Sequence, residues 1–424
     1  MKIKKPSTIR GMNDLLPEVI ATWRHLEKII IKIVESYGFS EIRLPLLERT
    51  ELFQRSIGAD TDIVEKEMYT FKDRNEKSIT LRPEATASMA RAAITNGLLH
   101  NQQQKLWTMG SMFRYEKPQK GRYRQFHQFN IEAMGFSGPD IDAEIIIMCA
   151  RMWRLLNLKN LRLEINSLGS GETRKLYRNE LIAYFTKYKN NLDESSLKRL
   201  ESNPLRILDS KNPDMRSIIS NAPVMLDYLD PESKKDFEVL KKLLDGSGVK
   251  YEVNPRLVRG LDYYNKTVFE WITDDLGAQG AVCSGGRYDG LIEKLGGRST
   301  PAIGWAMGIE RLVSLYELEN KRIENLKPYF YLVTDGNPAL LKGFELAEEI
   351  RNNFPKNAIQ MNMGAGSFKS QLKRADKSQA IYAIIIGEEE IENNTIGLKP
   401  LRAKGDQVEI HFDNIISEIK CIVE

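Results

Sequence analysis

Residues 113–124 read FRYEKPQKGRYR, the densest cluster of charge and aromatic rings in the chain. The stretch holds five basic residues and one acid, so its net charge of +4 equals that of all 424 residues together. Pro118 and Gly121 predict a loop here, between two flanking strands. Such a loop can hold guanidinium groups against phosphate oxygens and aromatic rings against bases. A solvated hairpin tip is the other interpretation.

The segments on either side of this loop supply candidate site residues. Gln128 and Glu132 follow it four residues apart, so an extended strand places both side chains on one face. A buried carboxylate at Glu132 would need a cationic or hydrogen-bond-donating partner. Upstream, Glu84 and Thr86 stand where a predicted strand gives way to a helix. Their oxygens could cap that helix or bind an amine, and the pattern is equally compatible with both roles.

Three later segments combine glycine with aromatic residues or arginine. Residues 257–264 read LVRGLDYY and resemble a strand, from which Arg259 and Tyr264 would reach one pocket only if Gly260 bends the chain or a turn intervenes. Residues 277–290 are rich in glycine but match neither the dinucleotide-binding nor the P-loop pattern. Residues 304–312 predict a strand running into a helix, whose first turn carries an arginine that could reach an anion.

These segments fit one catalytic module with two additions. An amphipathic helix is predicted over 17–37, followed by a strand in which Pro45 indicates an edge or an interface. We predict a catalytic domain over 1–326, interrupted at 171–250 by a lysine-rich helical insertion. Strands alternate with helices in the remaining residues, 327–424, which predicts a small α/β domain with a largely parallel sheet.

Composition excludes several classes of protein. With 42% hydrophobic and 28% charged residues, the chain is typical of globular proteins with two or three cores. It lacks a run of roughly 18 apolar residues, and its start is lysine-rich, so we expect a cytoplasmic protein without membrane contact. Cys149, Cys283 and Cys421 lie far apart, which argues against a disulfide framework and a structural zinc site.

Three features resemble, in this order, the three signature motifs of class II aminoacyl-tRNA synthetases. They are the helix with its proline-bearing strand, the arginine loop, and the glycine-rich strand before Arg311. Residues 11–17 (GMNDLLP), 113–128 and 257–264 are similar, more specifically, to histidyl-tRNA synthetases. The resemblance covers essentially the full chain. It implies an α/β protein of class II type: an antiparallel sheet flanked by helices, a helical insertion and a C-terminal anticodon-binding domain. The chain departs from the family at Ala85 and Ser284, where glycine is usual, and at Lys117, where arginine is common.

The resemblance implies a two-step reaction. L-Histidine attacks the α-phosphorus of ATP to form histidyl-adenylate and pyrophosphate, and the terminal ribose of tRNA then accepts the histidyl group, releasing AMP. Positioning and charge neutralisation supply most of the catalysis in such chemistry. Mg²⁺ would arrive with ATP, and the protein would have no metal site of its own. The helix over 17–37 and the strand with Pro45 resemble a dimer-forming element, so a homodimer is expected.

The resemblance also assigns roles to individual residues. Arg114 and Arg259 would be catalytic, holding the α-phosphate and the carboxylate of histidine. The other expected contacts of ATP are Glu116, Phe126 at the adenine and Arg311 at the γ-phosphate. Histidine would be bound at its amino group by Glu84, Thr86 and Gln128, and at its imidazole by Glu132 with Tyr263 or Tyr264 nearby. The tRNA acceptor end would meet Lys117, Gln119, Lys120, Arg122 and Arg124.

Other interpretations stay open. A non-catalytic, histidine-binding regulatory subunit is one, although such relatives typically lack the C-terminal domain and Arg259, and this chain has both. An enzyme that joins amino acids to an acceptor other than tRNA is another. Strand alternation points His127 away from Gln128, so a structural role is expected for it. Cys283 is expected to be a small packed residue, because no histidine lies near it in sequence.

Overall fold

The computed structural model describes residues 5–58, 61–119, 121–208, 210, 212–277, 280–320, 322–364 and 366–423. The chain forms two compact units, Met1–Ile323 and Glu324–Glu424. None of the helices in the described ranges is long and apolar enough to cross a membrane.

The first unit is built from strands and helices that alternate irregularly along the chain. Its strands are β1 (Ser40–Glu41), β2 (Leu47–Arg49), β3 (Tyr69–Lys72), β4 (Ser78–Leu81), β5 (Gln104–Phe113), β6 (Gln125–Met134), β7 (Arg162–Ser167), β8 (Glu252–Val253), β9 (Asn265–Ile272), β10 (Ala281–Arg287) and β11 (Ala302–Gly308). Its α-helices are α1 (Pro17–Ser36), α2 (Thr50–Ile57), α3 (Thr86–Thr95), α4 (Pro139–Leu155), α5 (Gly171–Lys187), α6 (Glu194–Ser202), α7 (Arg216–Ser220), α8 (Pro231–Gly246), α9 (Leu291–Lys294) and α10 (Ile309–Glu319). A π-helical turn spans Ile63–Glu67, and short 3-10 turns include Lys189–Asn191, Pro204–Ile207, Pro213–Met215 and Met225–Tyr228.

Eight strands form one large sheet in the order β1-β5-β6-β11-β10-β9-β7-β8. The pairings between its long strands are antiparallel, and only the two-residue outer strands β1 and β8 run parallel to their neighbours. This confirms the predicted antiparallel sheet flanked by helices. A separate antiparallel sheet has the order β2-β4-β3. The predicted strand around Pro45 is much shorter than expected: β1 ends at Glu41, and Pro45 lies in the link to β2.

Side-chain alternation along β6 gives the large sheet two different faces. Phe129 and Ile131 are fully buried on the apolar face, in one hydrophobic cluster with side chains of α1, α4 and α10. Successive residues of a strand point to opposite sides, so Gln128, Asn130 and Glu132 share the other face. A polar pocket can therefore form on one side of the sheet while the other side holds the core.

The helical segment from α5 to α8 belongs to the first unit. Helix α5 buries Tyr177, Leu181 and Phe185 in a cluster that also contains side chains of α3 and of the segment before β9. Helix α8 instead packs on α4 and contributes to the core of the large sheet. The segment is thus tied to both faces of the sheet.

The second unit contains the remaining elements. They are β12 (Phe330–Thr334), α11 (Asn337–Asn353), β13 (Ile359–Met361), α12 (Phe368–Lys377), β14 (Tyr382–Ile386), α13 (Glu388–Glu392), β15 (Thr395–Pro400), β16 (Val408–His411) and α14 (Ile415–Val423), with a 3-10 turn at Phe412–Asn414. Their sheet has the order β13-β12-β14-β15-β16. Only the pairings of β12 are parallel, so the prediction of a largely parallel sheet was wrong. The links after β14 and β15 are too short for the crossover that a parallel pairing needs.

Candidate active site

The polar face of the large sheet forms the floor of a cavity of about 260 Å³. Gln128, Asn130 and Glu132 on β6 stand opposite Gly308, Ala306 and Gly304 on β11. These small residues leave room above the sheet, and a side chain at Gly304 would collide with the Glu132 carboxylate. The Gln128 Oε1 atom and both polar atoms of the Asn130 side chain are buried without a hydrogen-bond partner in the described structure. Buried polar atoms of this kind usually have a partner, so the floor is suited to a polar ligand.

The structure brings most of the predicted site residues to this cavity. Those that line it are Glu84, Thr86, Arg114, Glu116, Arg122, Phe126, Gln128, Arg259, Tyr263, Tyr264 and Arg311. They come from the β4–α3 junction, the arginine loop, β6, the LVRGLDYY segment and the start of α10. Segments more than 200 residues apart in sequence therefore meet at one site.

Glu132 lies beneath the cavity in a hydrogen-bonded network rather than on its wall. Its side chain is buried, with Oε1 accepting from Thr86 Oγ1 at 2.6 Å and Oε2 accepting from the hydroxyl of Tyr288. Burial raises the pKa of Glu132 to about 8, against the lowering effect of these two hydrogen bonds. The side chain can therefore hold a proton near neutral pH. No local pattern indicates Tyr288 as a site residue, although it lies in the glycine-rich run at residues 277–290.

Glu84 caps the helix that follows it. Its carboxylate accepts from the backbone N–H groups of Thr86 at 2.7 Å and Ala87 at 2.9 Å, at the start of α3. Burial raises the pKa of Glu84, and the two backbone bonds oppose that shift. The capping interpretation is thus observed. A carboxylate oxygen has lone pairs for more than one donor, so capping leaves Glu84 able to accept from an amine as well.

The LVRGLDYY segment is not a strand, and β9 begins only at Asn265. A turn at Asp262 and Tyr263 brings Arg259 and Tyr264 to the same wall, with the Arg259 guanidinium 5.6 Å from the centre of the Tyr264 ring. Arg259 Nη1 also pairs with Glu270 on β9. Burial alone would lower the pKa of Arg259, but Glu270 and the tyrosines hold it above its usual value.

Four arginines converge on the cavity. Arg114 Nε donates to the carbonyl of Pro83 at 2.9 Å, and its guanidinium lies 5.3 Å from the centre of the Phe126 ring. Arg311 donates to the carbonyls of Gly121 and Ala281. Burial and the neighbouring Arg122 lower the pKa of Arg311. A site that concentrates like positive charges is suited to a polyanion such as a phosphate chain.

The arginine loop is ordered by contacts among its own residues. Arg122 forms an ion pair with Glu116, and Arg124 stacks 3.8 Å from the centre of the Tyr115 ring. Lys117, Gln119 and Arg124 do not line the cavity, in contrast to Arg122. Lys120 lies outside the described residues.

Two residues were expected to be structural. His127 lies on the opposite side of β6 from Gln128, with Nε2 3.1 Å from Ser111 Oγ, Nδ1 2.9 Å from Glu310 Oε1, and its ring packed edge-on against Trp23. Cys283 is buried in the core, with its sulfur 3.9 Å from that of Cys149. Both are located as the sequence predicted.

Comparison with known proteins identifies the family. The family model described as Histidyl-tRNA synthetase matches residues 11–312, and the one described as Anticodon binding domain matches residues 334–422. The chain is 54% identical over 418 residues to a histidine–tRNA ligase of Hydrogenovibrio crunogenus, covering 98% of each chain.

Solved structures are similar over the same extent. The apo histidyl-tRNA synthetase of S. aureus is 36% identical with a TM-score of 0.81, over 99% of this chain and 100% of that one. The histidyl-tRNA synthetase of Nostoc sp. PCC 7120 shares the fold at 21% identity, with a TM-score of 0.68 over 99% of this chain and 100% of that one. Because a family model matches residues 11–312 and a relative is 54% identical over 98% of both chains, this chain belongs to the histidyl-tRNA synthetase family.

Proposed function

We propose that this chain attaches L-histidine to its tRNA in an ATP-dependent reaction, through a histidyl-adenylate intermediate and with release of AMP and pyrophosphate. The observation that carries the proposal is a cavity lined by four arginines and by the buried carboxyl group of Glu84, with the buried carboxyl group of Glu132 beneath its floor. Such a site can bind a phosphate chain at one end and a basic amino acid at the other. The 54% identity to a histidine–tRNA ligase supports the same activity.

Histidine is proposed to bind over β6. Glu84, Thr86 and Gln128 would receive its amino group, and the unpartnered Oε1 atom of Gln128 supports this assignment. The imidazole would meet Glu132, with Tyr263 and Tyr264 beside it on the wall. A site that hydrogen-bonds a polar side chain leaves its own groups unpaired when an apolar side chain enters, which can discriminate by about 10⁴ to 10⁵ without editing.

ATP is proposed to bind across the arginines. Arg114 and Arg259 would hold the reacting α-phosphate and the carboxylate of histidine, where negative charge develops. The remaining contacts would be Phe126 at the adenine, Arg311 at the γ-phosphate and Glu116 near the phosphates. Glu116 and Glu310 also place carboxylate oxygens on the cavity wall, the donor type that Mg²⁺ accompanying ATP prefers.

Both units would contribute to binding tRNA. We assign the acceptor end to the arginine loop, through Lys117, Gln119, Lys120, Arg122 and Arg124. The anticodon-binding domain has 12 basic and 14 acidic residues over 327–424, so it would recognise splayed bases by stacking and hydrogen bonds rather than by bulk charge. Catalysis is assigned to a domain over 1–326 that is interrupted by the helical insertion at 171–250.

A homodimer remains part of this proposal. Strand β1 is an exposed edge of the large sheet, and the neighbouring Leu46 and Leu47 are about half exposed, which suits a protein partner at this edge. A cytoplasmic location, expected from the sequence, also stays a prediction. The alternative of a regulatory subunit is not favoured, since the full-length relative is itself a ligase.

The test is isotope exchange between pyrophosphate and ATP with each of the twenty amino acids. We expect exchange with histidine and background rates with the others. Exchange that is equally fast with another amino acid would contradict the assignment of the pocket, and histidine binding without exchange would favour the regulatory alternative.

A further inference from the structure

The LVRGLDYY segment needs something other than backbone pairing to orient its arginine. Residues 257–264 form neither a strand nor a helix, so no ladder of hydrogen bonds fixes the direction of Arg259. The side chain nevertheless lies on the cavity wall with only 17% of its surface exposed. Its orientation must come from the groups that touch the guanidinium.

One of those groups is a carboxylate outside the segment. Glu270, on the central part of β9, pairs with Arg259 Nη1. The Glu270 side chain is 20% exposed, and it does not belong to the cavity lining. Arg259 Nε has no hydrogen-bond partner among the described residues. Glu270 therefore engages one end of a guanidinium that has five N–H donors, and leaves others for a ligand.

The register of the sheet fixes Glu270 in turn. On β10, Ser284 stands directly opposite Glu270, and its Oγ donates at 3.3 Å to Oε1, the same oxygen that pairs with Arg259. On the other side, Glu164 of β7 stands opposite Glu270, but it accepts from the Asn254 amide at 2.6 Å and makes no described contact with Arg259. Two neighbouring carboxylates on the same face thus have different partners.

We propose that Glu270 is a positioning residue for Arg259: its carboxylate, held by Ser284, fixes one end of the guanidinium so that the rest faces the reacting phosphate and the substrate carboxylate. This inference rests on the proposed function, because it concerns the rate of adenylate formation. Glu270 itself touches no substrate in this scheme. Its effect passes entirely through Arg259.

The experiment compares Glu270→Gln and Glu270→Ala with Glu164→Gln in the complete chain. Loss of a hydrogen-bonded partner that orients a metal ligand typically lowers activity by about 10- to 100-fold, and we take the same range for a carboxylate that orients a catalytic arginine. We expect Glu270→Ala to lower kcat for histidine-dependent exchange within that range and Glu270→Gln to lower it less. KM for histidine should rise by a smaller factor than kcat falls, because Arg259 also faces the substrate carboxylate. Glu164→Gln, the matched control on the neighbouring strand, should retain the wild-type rate.

A double-mutant cycle separates positioning from a structural role. In an Arg259→Ala background, Glu270→Gln should change the residual rate by less than about twofold, because its only route of action has been removed. A full, undiminished effect in that background would overturn the inference, as would a wild-type rate for Glu270→Gln alone. Glu270→Gln preserves the size of the side chain, so it decides the question even if Glu270→Ala does not fold. Absence of exchange in the unmodified chain would instead contradict the proposed function.

Discussion

Replacement of Glu132 by glutamine should weaken histidine binding and, at the same time, stabilise the empty protein at neutral and alkaline pH. The carboxyl is buried on the polar face of the large sheet, and its two oxygens accept from Thr86 and Tyr288. Burial raises its pKa from 4.5 to about 8. Glutamine keeps a hydrogen-bonding side chain of the same size and removes the ionisation.

The sign of the stability effect follows from the direction of the shift. Because the pKa of Glu132 is higher in the folded protein, its protonated form stabilises the fold fully below about pH 4.5, and this contribution is lost as the pH rises through about 8. The loss amounts to about 2 to 3 kcal/mol between pH 5.5 and 7.5. Glu132→Gln has no such loss. The free energy of unfolding of the variant, relative to that of the wild type, should therefore rise by that amount over the same pH interval.

Tryptophan fluorescence during urea unfolding is a suitable assay, because all five tryptophans report on the first unit. They are Trp23, Trp107, Trp153, Trp271 and Trp305. The contributions of other titrating groups to the free energy of unfolding cancel when the variant is compared with the wild type at each pH. A difference in unfolding free energy that is independent of pH would refute the burial argument.

The affinity for histidine should fall in the variant, whereas its stability should rise. Above its pKa of about 8 the Glu132 carboxyl is charged, and a hydrogen bond to a charged group contributes about 1.5 to 3 kcal/mol, so Glu132→Gln should raise the Kd for histidine by roughly 10- to 150-fold at pH 9. Calorimetric titration of histidine into both proteins measures this directly. An unchanged Kd would mean that the imidazole does not bind at Glu132.

Three further predictions concern other parts of the molecule. Arg259→Ala should lower the rate of adenylate formation by about 10² to 10³, mainly in kcat, since it removes a donor to developing charge; an intact exchange rate in the folded variant would make this arginine structural. A chain ending at Lys327 should still exchange pyrophosphate with ATP but should charge tRNA poorly, because the anticodon-binding domain has been removed; equal charging would refute the anticodon role, and loss of both activities in a soluble protein would indicate that the domain supports the catalytic unit. Light scattering at micromolar concentration should give the mass of a dimer, and a monomeric mass would contradict the proposed role of the β1 edge.

Local patterns correctly predicted two of the elements that bear on the site. The hairpin of β5 and β6 follows from strand-forming runs on either side of Pro118 and Gly121, and the entry of β11 into α10 follows from its glycines and apolar residues. The alternation of side chains along a strand also correctly placed Gln128 and Glu132 on one face of β6, with His127 on the other.

Long-range contacts explain where sequence patterns were insufficient. The LVRGLDYY run has strand-forming residues, but its backbone is engaged elsewhere: Asp262 N–H donates to the carbonyl of Ile57, and Arg174 of α5 donates to the carbonyl of Tyr264. Tyr288 and Glu270 reach Glu132 and Arg259 only through the order and register of the large sheet. No local pattern specifies strand order, so neither residue was predicted to belong to the site.

The most direct test of the central claim is the transfer of labelled histidine to tRNA by the complete chain. With ATP and Mg²⁺, we predict accumulation of histidyl-tRNA whose ester bond is cleaved at alkaline pH, and no accumulation when ATP is omitted. Formation of histidyl-adenylate without any transfer to tRNA would contradict the assignment of tRNA as the acceptor.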